Sequence, residues 1–139
     1  MTTIKSYAIG NGDMYYIRHS SDNFTIIDSS IPDDRLGGIL TELAVESKGK
    51  GIVRFISTHP DQDHLGGLVE LDDHLGFLNF YCVANKATQA SPTDDVKRYS
   101  ALRDTEKQVH ITHDCTRRVR NKHTAHPGSP DITRQCNHT

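Results

Sequence analysis

Apolar and polar positions alternate loosely over residues 4–9, 14–18 and 24–27, and the gaps hold turn formers: Gly10-Asn11-Gly12-Asp13, then Ser20-Ser21-Asp22-Asn23. Period-two runs separated by Gly, Asn, Asp and Ser predict an antiparallel meander of three strands. The period changes after Pro32. Leu36, Ile39, Leu40, Leu43 and Ala44 fall on one stripe of a helix. Pro32-Asp33-Asp34 supplies its start, Lys48-Gly49-Lys50-Gly51 its end, and Gly37 and Gly38 weaken its middle. Residues 52–56 form a short apolar run that reads as the next strand.

A polar stretch follows that run, and Leu65-Gly66-Gly67-Leu68 then opens a second helical pattern, carried by Leu65, Leu68, Val69 and Leu71 and ending near His74-Leu75-Gly76. Residues 77–83 (FLNFYCV) read as a buried strand with Cys82 as a small apolar filler. Residues 85–95 are polar and close on Ser91-Pro92-Thr93-Asp94-Asp95, which resembles a helix cap. The pattern predicts a helix over residues 96–108, with Val96, Tyr99, Leu102 and Arg103 on one side, and a last short strand at 109–111. The order strand, helix, strand gives an α/β (α+β) fold, a mixed sheet flanked by helices. Such open sheets bind ligands at the carboxyl ends of their strands.

The polar stretch after the fourth strand, Ser57-Thr58-His59-Pro60-Asp61-Gln62-Asp63-His64, carries the candidate chemistry. Two imidazoles and two carboxylates occupy six positions, and Pro60 keeps strand and helix from absorbing them. His59 and Asp61, two apart in extended chain, project to one side; Asp63 and His64 follow around the bend. This spacing suits metal ligation, although a solvated acidic loop whose Asp caps the next helix uses the same residues. The segment resembles the HxHxDH signature of the metallo-β-lactamase superfamily, with Asp61 where the second His stands and Gly66-Gly67 matching the paired glycines that follow. Asp61 makes it similar to the HxDxDH form of the ComEC-type competence proteins. Gly10-Asn11-Gly12-Asp13 resembles a GQGD-like turn of that group, and Ile26-Ile27-Asp28-Ser29-Ser30 its strand ending in Asp and small residues.

The resemblance implies the amino-terminal half of an αβ/βα sandwich and two divalent ions, Zn or Mn. His59 and Asp61 would serve the first ion and Asp63 and His64 the second, with Asp63 also the catalytic residue that orients the attacking water. Asp28 would hold a ligand or a loop amide beside the site; an Asx turn at a strand end is its other reading. A carboxylate in place of imidazole shifts the expected metal toward a harder ion such as manganese. The implied activity is hydrolysis by a metal-bound hydroxide, with a phosphodiester or small-molecule substrate.

Composition limits the picture. The 139 residues are 35% hydrophobic with four Phe and five Tyr, which suits one domain at most and is short for the whole sandwich. Residues 1–111 hold 11 Lys and Arg against 16 Asp and Glu, residues 112–139 hold 5 against 2, so the first part is acidic and the last basic. An acidic domain speaks against tight nucleic-acid binding, leaving Arg117-Arg118-Val119-Arg120-Asn121-Lys122 as the segment able to touch phosphate. Cys82, Cys115 and Cys136 show no CxxC pairing and predict a reducing, cytoplasmic setting; no run reaches membrane-span length and no signal segment opens the chain. Residues 1–111 are therefore read as the partial domain and 112–139 as a basic, His-rich, irregular tail. His110, His113, Asp114, His123 and His126 are the residues that could complete the metal site. The alternative is a truncated, catalytically silent fragment that acts through a homo-oligomer or partner chain covering its sheet.

Overall fold

The computed structural model describes residues 1–84, 86 and 88–105, together with the backbone of 108–111. Strands β1 (Thr3–Ser6), β2 (Tyr15–Arg18) and β3 (Asn23–Ile27) form the expected antiparallel meander. A two-residue strand, β4 (Ser29–Ser30), and helix α1 (Asp33–Ser47) lead to β5 (Ile52–Ile56). A 3-10 turn at Gln62–His64, the short β6 (Leu65–Gly66), helix α2 (Leu68–Leu75), β7 (Asn79–Val83), helix α3 (Asp94–Arg103) and β8 (Gln108–Ile111) complete the described chain. Among the described residues one sheet runs β1-β2-β3-β5-β7-β8, antiparallel up to β3 and parallel from there on. This mixed α/β architecture agrees with a partial metallo-β-lactamase-type fold.

The register explains the core. Tyr16, Ile26, Phe55 and Phe80 lie in one cross-strand row, and all four are buried together with Phe24, Val53 and Cys82 on neighbouring rows of that face. Phe55 and Phe80 stack with centroids 5.7 Å apart, and Tyr99 of α3 meets Phe80 edge-on at 5.5 Å. The helices seal this face: Ile39 and Leu43 of α1, Leu68 and Leu71 of α2, and Val96, Tyr99 and Leu102 of α3 all join the same cluster. Each large side chain so buried contributes about 1.5–3 kcal/mol. The adjacent row, Tyr15, Ile27, Ile56 and Tyr81, points to the other face and is half-buried.

Three elements differ from the sequence pattern. The first strand ends at Ser6 because Tyr7 and Ile9 turn into the core, and the Tyr7 N–H donates to the Met14 carbonyl at 3.0 Å. Leu65 and Gly66 do not open the second helix: they pair in parallel with Ser29 and Ser30. Gly67, at φ +80°, turns the chain and α2 starts at Leu68. The third helix begins at Asp94, where the Thr93 hydroxyl accepts from the Val96 N–H at 3.3 Å, and it ends at Arg103 rather than 108 because the chain turns to run beside β7.

Candidate metal centre

Strands β3 and β5 are parallel neighbours with Ile27 opposite Ile56, so the residues that follow each strand emerge side by side at the carboxyl edge of the sheet. On one side stands Asp28, buried, its N–H donating to the Ile56 carbonyl at 2.9 Å. Its backbone is left-handed at φ +52°, a conformation that Asp tolerates better than most residues but that still costs energy. That twist turns the carboxylate across to the β5 loop. Asp28 Oδ1 accepts from the Thr58 N–H at 2.7 Å, and Oδ2 accepts from the Thr58 hydroxyl at 2.5 Å and from His64 Nδ1 at 3.2 Å. Asp28 thus holds both a loop amide and a candidate ligand.

The loop itself brings the two imidazoles together. The Ser57 hydroxyl donates to the His59 carbonyl at 2.9 Å, and beyond Pro60 the His64 N–H donates to the Asp61 carbonyl at 2.9 Å, folding the 3-10 turn back. The His59 and His64 rings lie 4.9 Å apart at a 41° tilt. Asp63 Oδ2 is 3.9 Å from His64 Nε2, with the His64 side chain 19% exposed and that of Asp63 61% exposed. Asp61 is exposed on the rim of the same loop. His59, His64 and Asp63 are therefore neighbours, and the fourth expected ligand, Asp61, is exposed.

The model of one family, described as the metallo-beta-lactamase superfamily, matches residues 8–129. The chain belongs to the metallo-β-lactamase superfamily. Neither a curated relative nor a solved structure matches it significantly. This is a superfamily of metal-dependent hydrolases whose members typically bind divalent metal ions. The matched span includes the candidate loop. It also includes His110, whose backbone pairs with Cys82, and His113, Asp114, His123 and His126, which lie outside the described residues, as does the rest of the 112–139 segment.

The donors of this metallo-β-lactamase loop fit a divalent ion in kind. Imidazole nitrogen and carboxylate oxygen serve zinc and manganese alike, and the carboxylate–histidine contact of Asp28 with His64 is the arrangement that orients ligating imidazoles. Among the described residues no group of three His, Cys, Asp or Glu side chains is gathered closely enough to enclose an ion. Like charges on Asp61 and Asp63 oppose such gathering unless a cation offsets them.

Three supports of the loop escape a reading of local patterns. β4 and β6 clasp the loop to the end of β3. Gly12, at φ +100°, packs so close that an added Cβ would sit 2.3 Å from the Asp63 carbonyl oxygen and 2.5 Å from Ser30 Oγ. Asp95, in the first turn of α3, accepts from the N–H groups of Gly67 (3.2 Å) and Val69 (3.0 Å), capping α2 from another element. Gln62 of the 3-10 turn also donates to Asp95 at 3.4 Å and accepts from the Thr93 hydroxyl at 2.5 Å. The glycine-rich turn was the signal for the first packing contact. For Asp95 the sequence suggested part of a cap on the helix that follows it, whereas its carboxylate caps the preceding helix, α2.

Proposed function

We propose that the chain is a metal-dependent hydrolase that holds divalent ions with His59, Asp61, Asp63 and His64 and cleaves a phosphodiester or another hydrolysable ester. The observation that carries this reading is Asp28: a buried, left-handed residue whose carboxylate reaches across two strand ends to fix the loop bearing all four donors. Strain of this kind gathers at functional sites. Divalent ions, when bound, supply the Lewis acidity that makes water nucleophilic at neutral pH and stabilises charge on the departing oxygen. The chain's residues do the rest. His59 and His64 present ring nitrogens from one side of the loop, Asp28 and Thr58 keep the loop's first turn in place, and Asp63, exposed beside His64, takes up the proton of the attacking water. Asp61 in place of an imidazole favours a hard ion such as manganese over zinc. The ester substrate class rests on likeness to the HxDxDH form, and the acidic charge of residues 1–111 favours a small substrate over a long polyanion.

Metal content of the purified chain and of a His59→Ala/His64→Ala variant, measured with hydrolysis of bis(p-nitrophenyl) phosphate, tests the proposal. Stoichiometric metal with turnover in the parent, and loss of both in the variant, is the expected result. A second reading has the half-buried face around Tyr15, Ile27, Ile56 and Tyr81 covered by a partner chain, with no catalysis. Trace metal in the parent and equal, background rates in both proteins would favour it.

A further inference from the structure

We infer that Thr58 is a positioning residue: its hydroxyl relays the Asp28 carboxylate to His59, so that one buried carboxylate sets the tautomer of both imidazoles and leaves both Nε2 atoms unprotonated. A count of protons fixes these assignments. A hydroxyl has one proton to give, and a carboxylate oxygen has none. At 2.5 Å from Asp28 Oδ2, Thr58 Oγ1 must therefore be the donor. Its oxygen also lies 2.9 Å from His59 Nδ1, and with its proton committed it can only accept there. His59 Nδ1 consequently carries the hydrogen. His64 reaches the same state directly, since its Nδ1 faces Asp28 Oδ2 at 3.2 Å. A neutral ring protonated at Nδ1 offers its lone pair at Nε2, the reverse of the tautomer that free imidazole side chains favour in water. The third bond to Asp28, from the Thr58 N–H at 2.7 Å, holds the backbone that carries the hydroxyl beside the same carboxylate.

The functional weight of this relay rests on the metal reading above, but the tautomers can be observed without any ion. Long-range 1H–15N correlation spectra of the metal-free full chain, labelled at histidine and recorded where imidazole is neutral, report the protonated nitrogen of each ring. His59 and His64 are expected to show the Nδ1–H pattern. Thr58→Val removes the hydroxyl at nearly constant shape and is expected to release His59 to the opposite or a mixed pattern, leaving His64 unchanged, while Thr58→Ser retains the parent pattern. Manganese affinity should fall on the order of tenfold in Thr58→Val and return in Thr58→Ser. An Nε2–H pattern for His59 in the parent, or an unchanged His59 in a folded Thr58→Val, overturns the relay. If the parent shows the expected pattern but binds no manganese or zinc, the relay stands and the metal reading fails; if it binds metal while His59 ignores Thr58→Val, the reverse holds.

Discussion

Asp28 joins a local cost to a local gain. Its positive φ is unfavourable, and the strain persists because three donors from the β5 loop converge on its carboxylate. Asp28→Asn keeps the shape and tolerates the same backbone, yet with Oδ1 still accepting from the Thr58 N–H its amide nitrogen takes the place of Oδ2, donates to Thr58 Oγ1 and His64 Nδ1, and drives both rings toward the opposite tautomer. We expect that variant to fold and to bind manganese about 10–100-fold more weakly, as titration calorimetry would register. Gly12 makes a different case. Its φ of +100° and its approach to the Asp63 carbonyl leave no room for a methyl group, so Gly12→Ala should cost more than about 1 kcal/mol. The cost would appear as a lower urea midpoint with an unchanged slope.

Secondary structure was legible wherever one period ran uninterrupted. The meander, the α1 stripe and the buried side of α3 followed from side-chain spacing, because those elements bury one face against a single core. The pattern failed where a long-range partner decided the backbone. Leu65 and Gly66 look like the first turn of a helix, but Ser29 and Ser30 draw them into a parallel bridge. The start of α2 is stabilised by Asp95, 26 residues beyond Val69. No local rule links those positions. Asp95→Ala would leave the N–H groups of Gly67 and Val69 without that acceptor at a half-buried helix start, at a cost of about 1–3 kcal/mol. Hydrogen exchange should show the early α2 amides losing protection before those of β5, and equal loss in both elements would assign Asp95 a merely global role.

In the candidate site, the candidate donors could be read from one octapeptide and Asp28 from the resemblance of its strand end, whereas the other groups that hold the loop could not. His59, Asp61, Asp63 and His64 announce themselves by type and spacing. Thr58, Gly12 and Asp95 act through contacts that only the closed sheet creates.

At the scale of the whole described fold, the helices cover one face of the sheet and the carboxyl edge carries the candidate loop, so the core that stabilises the fold and the proposed site use different parts of it. No helix among the described residues is long and apolar enough to cross a membrane. The core makes the fold sensitive to alkali. Burial pushes the Cys82 thiol above its ordinary value, and burial followed by the charge of nearby Glu42 does the same to Tyr7. The folded chain therefore keeps protons that the unfolded chain gives up, and stability falls as pH rises through the ordinary thiol range near about 8.5 and the phenol range near about 10. Denaturant titrations between neutral and alkaline pH should show that decline, and in Cys82→Ala its onset should move up toward the phenol range.

On the proposed function, the loop after β5 is where this chain takes hold of a divalent ion. Manganese titrated into the 15N-labelled full chain tests it directly, because the paramagnetic ion erases amide signals near its seat. Amide signals of Asp28, Thr58, His59 and residues 61–64 are expected to vanish first, at low manganese, and to survive in the His59→Ala/His64→Ala variant. Broadening that starts elsewhere, or that spreads evenly over the acidic surface in both proteins, would contradict it.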